Sequence, residues 1–495
     1  MSTRTDLAQN SEQTSHTSDK NHLTVDDITV IDSGSLKRAV GAAALGNTME
    51  WFDFGVYSYL AVIIGKVFFP DASSTAQLIA SFGTFAAAFL VRPVGGMVFG
   101  PLGDRFGRQK VLAFTMIMMS AGTFCIGLIP DYSRIGIMAP VLLLVARLVQ
   151  GFSTGGEYGG AATFIAEYST DKRRGFTGSF LEFGTIGGYL LGASLVTGMT
   201  SALSSEAMME WGWRIPFFLA APLGIFGMYV RLKLEETPTF KQHMEQQQAI
   251  EESKPRLSLF QMLKKYRHQL LKCIGLVLVF NVSNYMMTSY MPSYLTGVLG
   301  VPELTGLLLV MAVMIMMMPL TLLWGHWADR FGRRPVIAFG SAGLVLLSVP
   351  CFMLIGSHSL AVIFAGLIVL GVLHTSFSGS MPSTLPALFV TDIRYSALAI
   401  GFNLSVSLFG GTTPLFTAWL VDATQNVMMP AYYMMTAGVI GLITVFTLRE
   451  TARKPLSGST PSVATLAEAH SIINKLQRKH SKSRKPLVAQ TASDR

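Results

Sequence analysis

The chain has 495 residues, of which 50% are hydrophobic and 14% charged, and its mean hydropathy is +0.45. A soluble chain carries about a quarter charged residues, so a water-exposed surface over most of the length is excluded. The net charge of +9 sits between apolar runs and in the tails, a distribution that fits a membrane surface and argues against nucleic acid.

The opening stretch Met1–Asp19 is rich in Ser, Thr, Asn and Gln and predicts no packed structure. Apolar runs of about 20 residues then recur, the length needed to cross ~30 Å of hydrocarbon. They predict twelve spans, at roughly 38–64, 76–100, 110–130, 137–166, 174–200, 213–233, 269–297, 303–325, 335–356, 360–386, 394–422 and 430–448. The first run follows a polar leader and carries acids inside it, unlike a cleaved signal. The polar stretch Glu235–Arg267 divides the runs into two sets of six. The expected plan is a cytoplasmic leader (1–37), a first six-helix half (38–233), a cytoplasmic linker (234–268), a second half (269–449) and a basic cytoplasmic tail (450–495). In that tail Thr465–Gln477 predicts a short helix with Leu466, Ala469, Ile473 and Leu476 on one stripe, and the basic run from Lys475 to Lys485 suits an anionic leaflet.

Basic residues in short loops orient the spans. With the N-terminus inside, the inner loops hold Arg105, Arg108, Lys110, Lys172, Arg173, Arg174, Arg330, Arg333, Arg334 and Arg394, whereas the outer loops hold Lys66, Arg134 and Arg214. Both termini are therefore expected in the cytoplasm. Cys125, Cys273 and Cys351 all lie in apolar runs and read as small core hydrophobes.

The chain repeats one motif. Gly100-Pro-Leu-Gly-Asp104-Arg105-Phe-Gly-Arg108 recurs as Gly325-His-Trp-Ala-Asp329-Arg330-Phe-Gly-Arg333 at the matching place in the second half. A duplicated membrane bundle most often moves small solutes. Asp104 and Asp329 are placed to cap a neighbouring helix and to pair with Arg108 and Arg333. These six positions, Asp104, Arg105, Arg108, Asp329, Arg330 and Arg333, read as gating residues that bias one state of a rocking bundle.

Charges inside the spans require a reason, since each costs roughly 2.5–3.5 kcal/mol in mid-membrane. Glu50 and Asp53 are three apart on the first span, with Asn47 and Tyr57 extending that face. The fourth span carries Arg147, Gln150, Thr154 and Glu157, the fifth Glu182 and Tyr189, and the second Arg92. The expected arrangement pairs the first-span acids with Arg147 across a central cavity. Glu50, Asp53, Glu157 and Glu182 are the candidate proton carriers. The candidate substrate contacts are Arg147, Arg92, Asn47, Gln150, Trp51, Tyr57, Tyr158 and Tyr189, with Asn281, Asn284 and Tyr285 of the seventh span; the rings suit a quaternary ammonium group. The alternative for the acids is a static salt-bridge network. The glycines from Gly151 to Gly160 and from Gly184 to Gly192 read as close helix packing, and His374 as a hydrogen-bonded packing residue. No hydrolase elbow, Walker loop, zinc spacing or ATP-binding domain stands out, so neither enzyme activity nor a metal or cofactor is expected. Uphill movement would draw on an ion gradient.

The two Asp-Arg-Phe-Gly-Arg loops, together with Arg147-Leu-Val-Gln-Gly-Phe-Ser-Thr-Gly-Gly-Glu-Tyr, resemble the signatures of the major facilitator superfamily. Leu45-Gly-Asn-Thr-Met-Glu-Trp-Phe-Asp-Phe-Gly-Val-Tyr57 resembles its metabolite:proton symporters. Trp211-Gly-Trp-Arg-Ile-Pro-Phe-Phe218, Leu234-Glu-Glu-Thr-Pro238, Ile393-Arg-Tyr-Ser-Ala-Leu-Ala399 and Gln425-Asn-Val-Met-Met-Pro-Ala-Tyr-Tyr433 resemble the proline/betaine branch, from about Thr24 to Ser462. The resemblance implies an all-α membrane protein with twelve transmembrane helices in two pseudo-symmetric halves, working as a monomer in a bacterial inner membrane. Its cargo would be zwitterions such as proline, glycine betaine and ectoine, driven by protons and stimulated by high osmolality. Members of that branch can end in a long coiled coil, whereas the stripe here spans under two heptads. Two alternatives remain: a dicarboxylate or other organic acid as cargo, and a membrane osmosensor that binds without transporting.

Overall fold

The computed structural model describes residues 28–106, 108–155, 157–233 and 259–474. The leader Met1–Asp19, most of the linker and the basic run after residue 474 lie outside the described residues. The side chains of Asp104, Arg105 and Arg108 do too.

Among the described residues, nine helical segments are long and apolar enough to cross a membrane, and a bent pair makes ten. That pair is the first span, Ser33–Tyr59 followed by Ala61–Phe68, with a 60° bend between them. Arg108–Leu128 and Ile215–Lys233 supply the third and sixth spans and bring the described total to the expected twelve. The second span is Ser74–Leu90 with Arg92–Phe106, the fourth Met138–Ser153 with Glu157–Tyr168, and the fifth Arg174–Ala202. The second half runs through Arg267–Val298, Glu303–Phe331, Arg333–Ile355, Leu360–Thr384, Arg394–Thr424 and Met429–Phe446. The seventh span contains two π-helical turns, Met286–Tyr290 and Tyr294–Val298, and the eleventh one, Val406–Gly410; such turns shift the helix register locally.

The polarity is that of a protein dissolved in lipid. Leu346 and Phe446 are 71% and 74% exposed, while Glu50, Asp53, Arg92, Arg147 and Glu182 are buried. Cys273 and Cys351 are buried, but Cys125 is exposed on the outer surface of the third span, so it is not a core residue. Apolar character alone does not distinguish a lipid-facing position from an inward one.

Glycine brings the helices together. A Cβ at Gly151 would lie 1.7 Å from the Ala88 carbonyl oxygen, at Gly155 2.2 Å from that of Arg92, and at Gly184 and Gly188 2.3 Å from those of Ala44 and Thr48. The first and fifth spans therefore touch backbone to backbone, as do the second and fourth. The two halves meet along the fifth and eighth spans and along the second and eleventh. At the Gly175 end of the first seam a Cβ on Gly175 would lie 2.6 Å from the Gly325 carbonyl oxygen.

The two ends of the described chain join at one end of the bundle. Thr29–Val30 (β1) pairs in parallel with Ser462–Val463 (β2). A helix follows at 466–474, three residues short of the predicted end because the description stops there. Its Ala469 and Ile473 pack with Ile28 and Val463.

Candidate functional site

The first span divides its polar residues among three neighbours. Glu50 Oε1 accepts a 2.8 Å hydrogen bond from Arg92 NH2 of the second span. Asp53 Oδ2 accepts one of 3.0 Å from the Thr123 hydroxyl of the third. Asn47 donates to the Leu181 carbonyl (2.8 Å) and the Thr185 hydroxyl (2.6 Å) of the fifth, and its oxygen accepts from Trp51 Nε1 (3.2 Å). The expected pairing of these acids with Arg147 is therefore corrected. Residues three apart on a helix diverge by about 60°, which turns Glu50 towards Arg92 and Asp53 towards the third span. Asn47 is likewise occupied as a bracket that orients Trp51, not presented to a cavity.

Arg147 is fully buried, and among the described residues it makes no salt bridge. Its NH1 donates to Gln150 Oε1, and its guanidinium carbon lies 3.4 Å from the centroid of the Tyr57 ring. Gln150 Nε2 donates to the Thr123 hydroxyl (2.9 Å). Arg147, Gln150, Thr123 and Asp53 thus form one continuous polar chain. Tyr57 is fixed through its hydroxyl by Thr84 and by the Ser81 carbonyl, so it supports Arg147 from below. Nε and NH2 of Arg147, and Nε and NH1 of Arg92, are buried and carry no hydrogen-bond partner. Unsatisfied buried donors on cations are costly, and a bound anion would satisfy them.

Beside Arg92, whose guanidinium lies 5.3 Å from the Phe89 ring, is a cluster of buried rings. Trp51 sits 5.5 Å from Tyr189 and 5.9 Å from Tyr285, centroid to centroid, and Phe89 is 5.3 Å from Tyr285. The cluster draws on both halves, and Tyr189 reaches the Ser289 hydroxyl at 3.1 Å. The Tyr285 hydroxyl and Asn281 Nδ2 are buried without partners, and Asn284 is buried beside them. Glu182 accepts a 2.7 Å hydrogen bond from Tyr158, whose ring stacks at 3.8 Å on Phe402 of the second half. Glu157 turns to the third span, where Thr115 donates to it at 3.2 Å.

At the Gly175 end of the seam between the fifth and eighth spans, Asp329 accepts from the backbone N–H groups of Gly175 (2.7 Å) and Phe176 (2.8 Å), the first turn of the fifth span. Arg333 does not hydrogen-bond to it as expected. Its guanidinium donates instead to the Ser383 carbonyl (2.8 Å) and the Thr451 hydroxyl (2.9 Å). Arg330 is exposed. Arg394 forms a second bridge across the seam, to Glu167 at 2.6 Å. Sequence reasoning missed Glu167, an ordinary acid at a helix end, and Thr123, one hydroxyl in an apolar helix. His374 lies between the hydroxyls of Ser283 (3.0 Å) and Ser378 (2.9 Å). Among the described residues no cluster of side chains could hold a metal ion.

The family profile described as Major Facilitator Superfamily matches residues 43–411 and 305–488. The chain belongs to that superfamily. It is 51% identical over 456 residues, 91% of each chain, to the proline/betaine transporter of Escherichia coli strain K12. It is 52% identical over 455 residues, again 91% of each, to the glycine betaine/proline/ectoine/pipecolic acid transporter OusA of Dickeya dadantii. The proton:xylose symporter XylE, solved with 6-bromo-6-deoxy-D-glucose, superposes with a TM-score of 0.69 over 86% of this chain and 98% of its own, at 18% identity. That likeness concerns the fold. This superfamily chain is a multi-pass membrane transporter with an all-α, two-half architecture.

Proposed function

We propose that this transporter takes up zwitterionic osmoprotectants, among them proline, glycine betaine and ectoine, by alternating access coupled to protons. The observation that carries the reading is a buried cluster shared by the two halves: Arg92, whose Nε and NH1 have no partner among the described residues, lies 5.3 Å from the Phe89 ring, which meets Tyr285, which in turn meets Trp51 beside Tyr189. A carboxylate needs such donors, and an onium group is attracted to such ring faces. The names carried by the 51–52% identical relatives support the same cargo. Arg92 and Arg147 would hold the carboxylate end, with Gln150, Tyr285, Asn281 and Asn284 nearby. Glu50, Asp53 and Glu182 would exchange the coupling proton, each held by hydrogen bonding that a change of state can withdraw. Glu157, which accepts from Thr115, is the fourth candidate carrier.

The setting we propose is a bacterial inner membrane, with both termini cytoplasmic, residues 234–268 linking the halves, a single chain sufficing and high osmolality stimulating uptake. Anionic lipid would meet the basic run after residue 474. The test is radiolabelled betaine and citrate uptake into proteoliposomes with and without an inward proton gradient. Betaine accumulation that requires the gradient is expected. Citrate accumulation without betaine uptake, or binding without accumulation, would overturn the reading. If the Gln variants of Glu50 and Glu182 and Asp53→Asn all still concentrate betaine, the proton relay is wrong.

A further inference from the structure

The segment after the twelfth span crosses the inner seam and grips both halves. Glu450 starts it, accepting the backbone N–H groups of Arg333 (3.1 Å) and Arg334 (3.1 Å) of the second half. The Lys454 carbonyl then accepts from Arg174 of the first half at 3.0 Å. Leu456 is buried between Ala166 of the first half and Ala387 of the second. The Ser457 carbonyl accepts from the Thr391 N–H (3.1 Å) and from Arg394 NH2 (2.9 Å) of the second half. Ser462 exchanges two bonds with Asp171 of the first half: its carbonyl accepts the Asp171 N–H at 3.0 Å, and its own N–H donates to Asp171 Oδ2 at 3.2 Å. Beyond it, Glu468 pairs with Lys172 at 2.7 Å, and Thr29–Val30 closes over β2.

These attachments alternate between the halves and span the seam that Asp329 and Arg394 also bridge. Opening the inner side separates residues 166–176 from residues 325–333 and 387–394, and the segment cannot keep both sets of contacts. We propose that residues 450–474, with 28–31 added as a strand, form a latch that holds the inner gate shut and releases one half in every transport cycle. Leu456 is its wedge and Ser462 its clasp on the first half. The latch rests on the alternating-access reading but on no particular cargo.

The test uses the full chain with Cys125, Cys273 and Cys351 replaced by alanine and a reporter, Ser179→Cys, placed at the seam, where Ser179 is buried against Gly325. Alkylation by a membrane-impermeant maleimide is measured from the cytoplasmic side, without substrate. Leu456→Asn is expected to speed alkylation at least about tenfold, the scale set by losing one buried leucine contact. Ser462→Pro, which removes one N–H and leaves the wedge, is expected to act in the same direction by about threefold or more. Both variants should retain the parent's gel-filtration profile. Unchanged alkylation in two folded variants would overturn the latch, and because no substrate is present, that result is independent of what the protein carries.

Discussion

Asp329→Ala probes the proposed inner gate. The carboxylate is 5% exposed and accepts two backbone N–H groups across the seam, at 2.7 and 2.8 Å. A hydrogen bond to a charged group contributes about 1.5–3 kcal/mol, and alanine leaves both donors stranded only while the gate is shut, since water reaches them once it opens. Taking the lower figure twice, the shut state loses about 3 kcal/mol, a shift of roughly 150-fold in the ratio of states. Alkylation of the Ser179→Cys reporter from the cytoplasmic side should rise towards that limit, with Asp329→Asn, which keeps one acceptor oxygen, falling between. Net uptake should slow while the preference among substrates stays the same. An alanine variant that labels like its parent, or one that changes substrate preference at normal turnover, would refute the reasoning.

Four further outcomes are expected. Gly151→Ala places a methyl group 1.7 Å from the Ala88 carbonyl oxygen and should abolish membrane-inserted, monodisperse protein, whereas Gly187→Ala, whose nearest neighbour is the Met318 methyl at 3.6 Å, should leave yield and uptake intact. Glu50→Gln and Arg92→Gln should each cost about 3–5 kcal/mol by stranding a buried charge, seen as a large loss of thermal stability in detergent that the double variant partly restores. Trp51→Leu should weaken the apparent affinity for betaine by about 5- to 30-fold, from a desolvated cation–π contact of roughly 1–2 kcal/mol, and that for proline by less. Burial pushes the Glu450 carboxyl up, but backbone N–H groups of Ala452, Arg333, Arg334 and Thr451 outweigh it and hold it below the ordinary carboxylate range. A depressed folded value means the tether contributes fully above the ordinary carboxylate pKa and is lost as pH falls through the folded one. Hydrogen exchange at the Arg333 and Arg334 amides, corrected for intrinsic rates, should therefore accelerate only under acid conditions; constant protection down to pH 3 would contradict this.

The sequence by itself determined the number of spans, the division into halves and the list of unusual residues. Hydrocarbon thickness dictates how long an apolar run must be, and Glu50, Asp53, Arg92, Arg147 and Glu182 stand out because a charge in such a run is expensive. The glycine clusters were equally legible, since close backbone contact excludes a side chain. Partnership was decided only by the tertiary structure. Helical spacing put Glu50 and Asp53 on one face, but which neighbouring helix each one meets depends on how the bundle closes, and Arg92 rather than Arg147 took Glu50. The same holds for Asp329 on the fifth span, for Glu167 beneath Arg394, and for a C-terminal segment whose short apolar stripe gave no sign that it folds back over the seam. Local chemistry states what a residue must find; the packing of distant helices decides where it finds it.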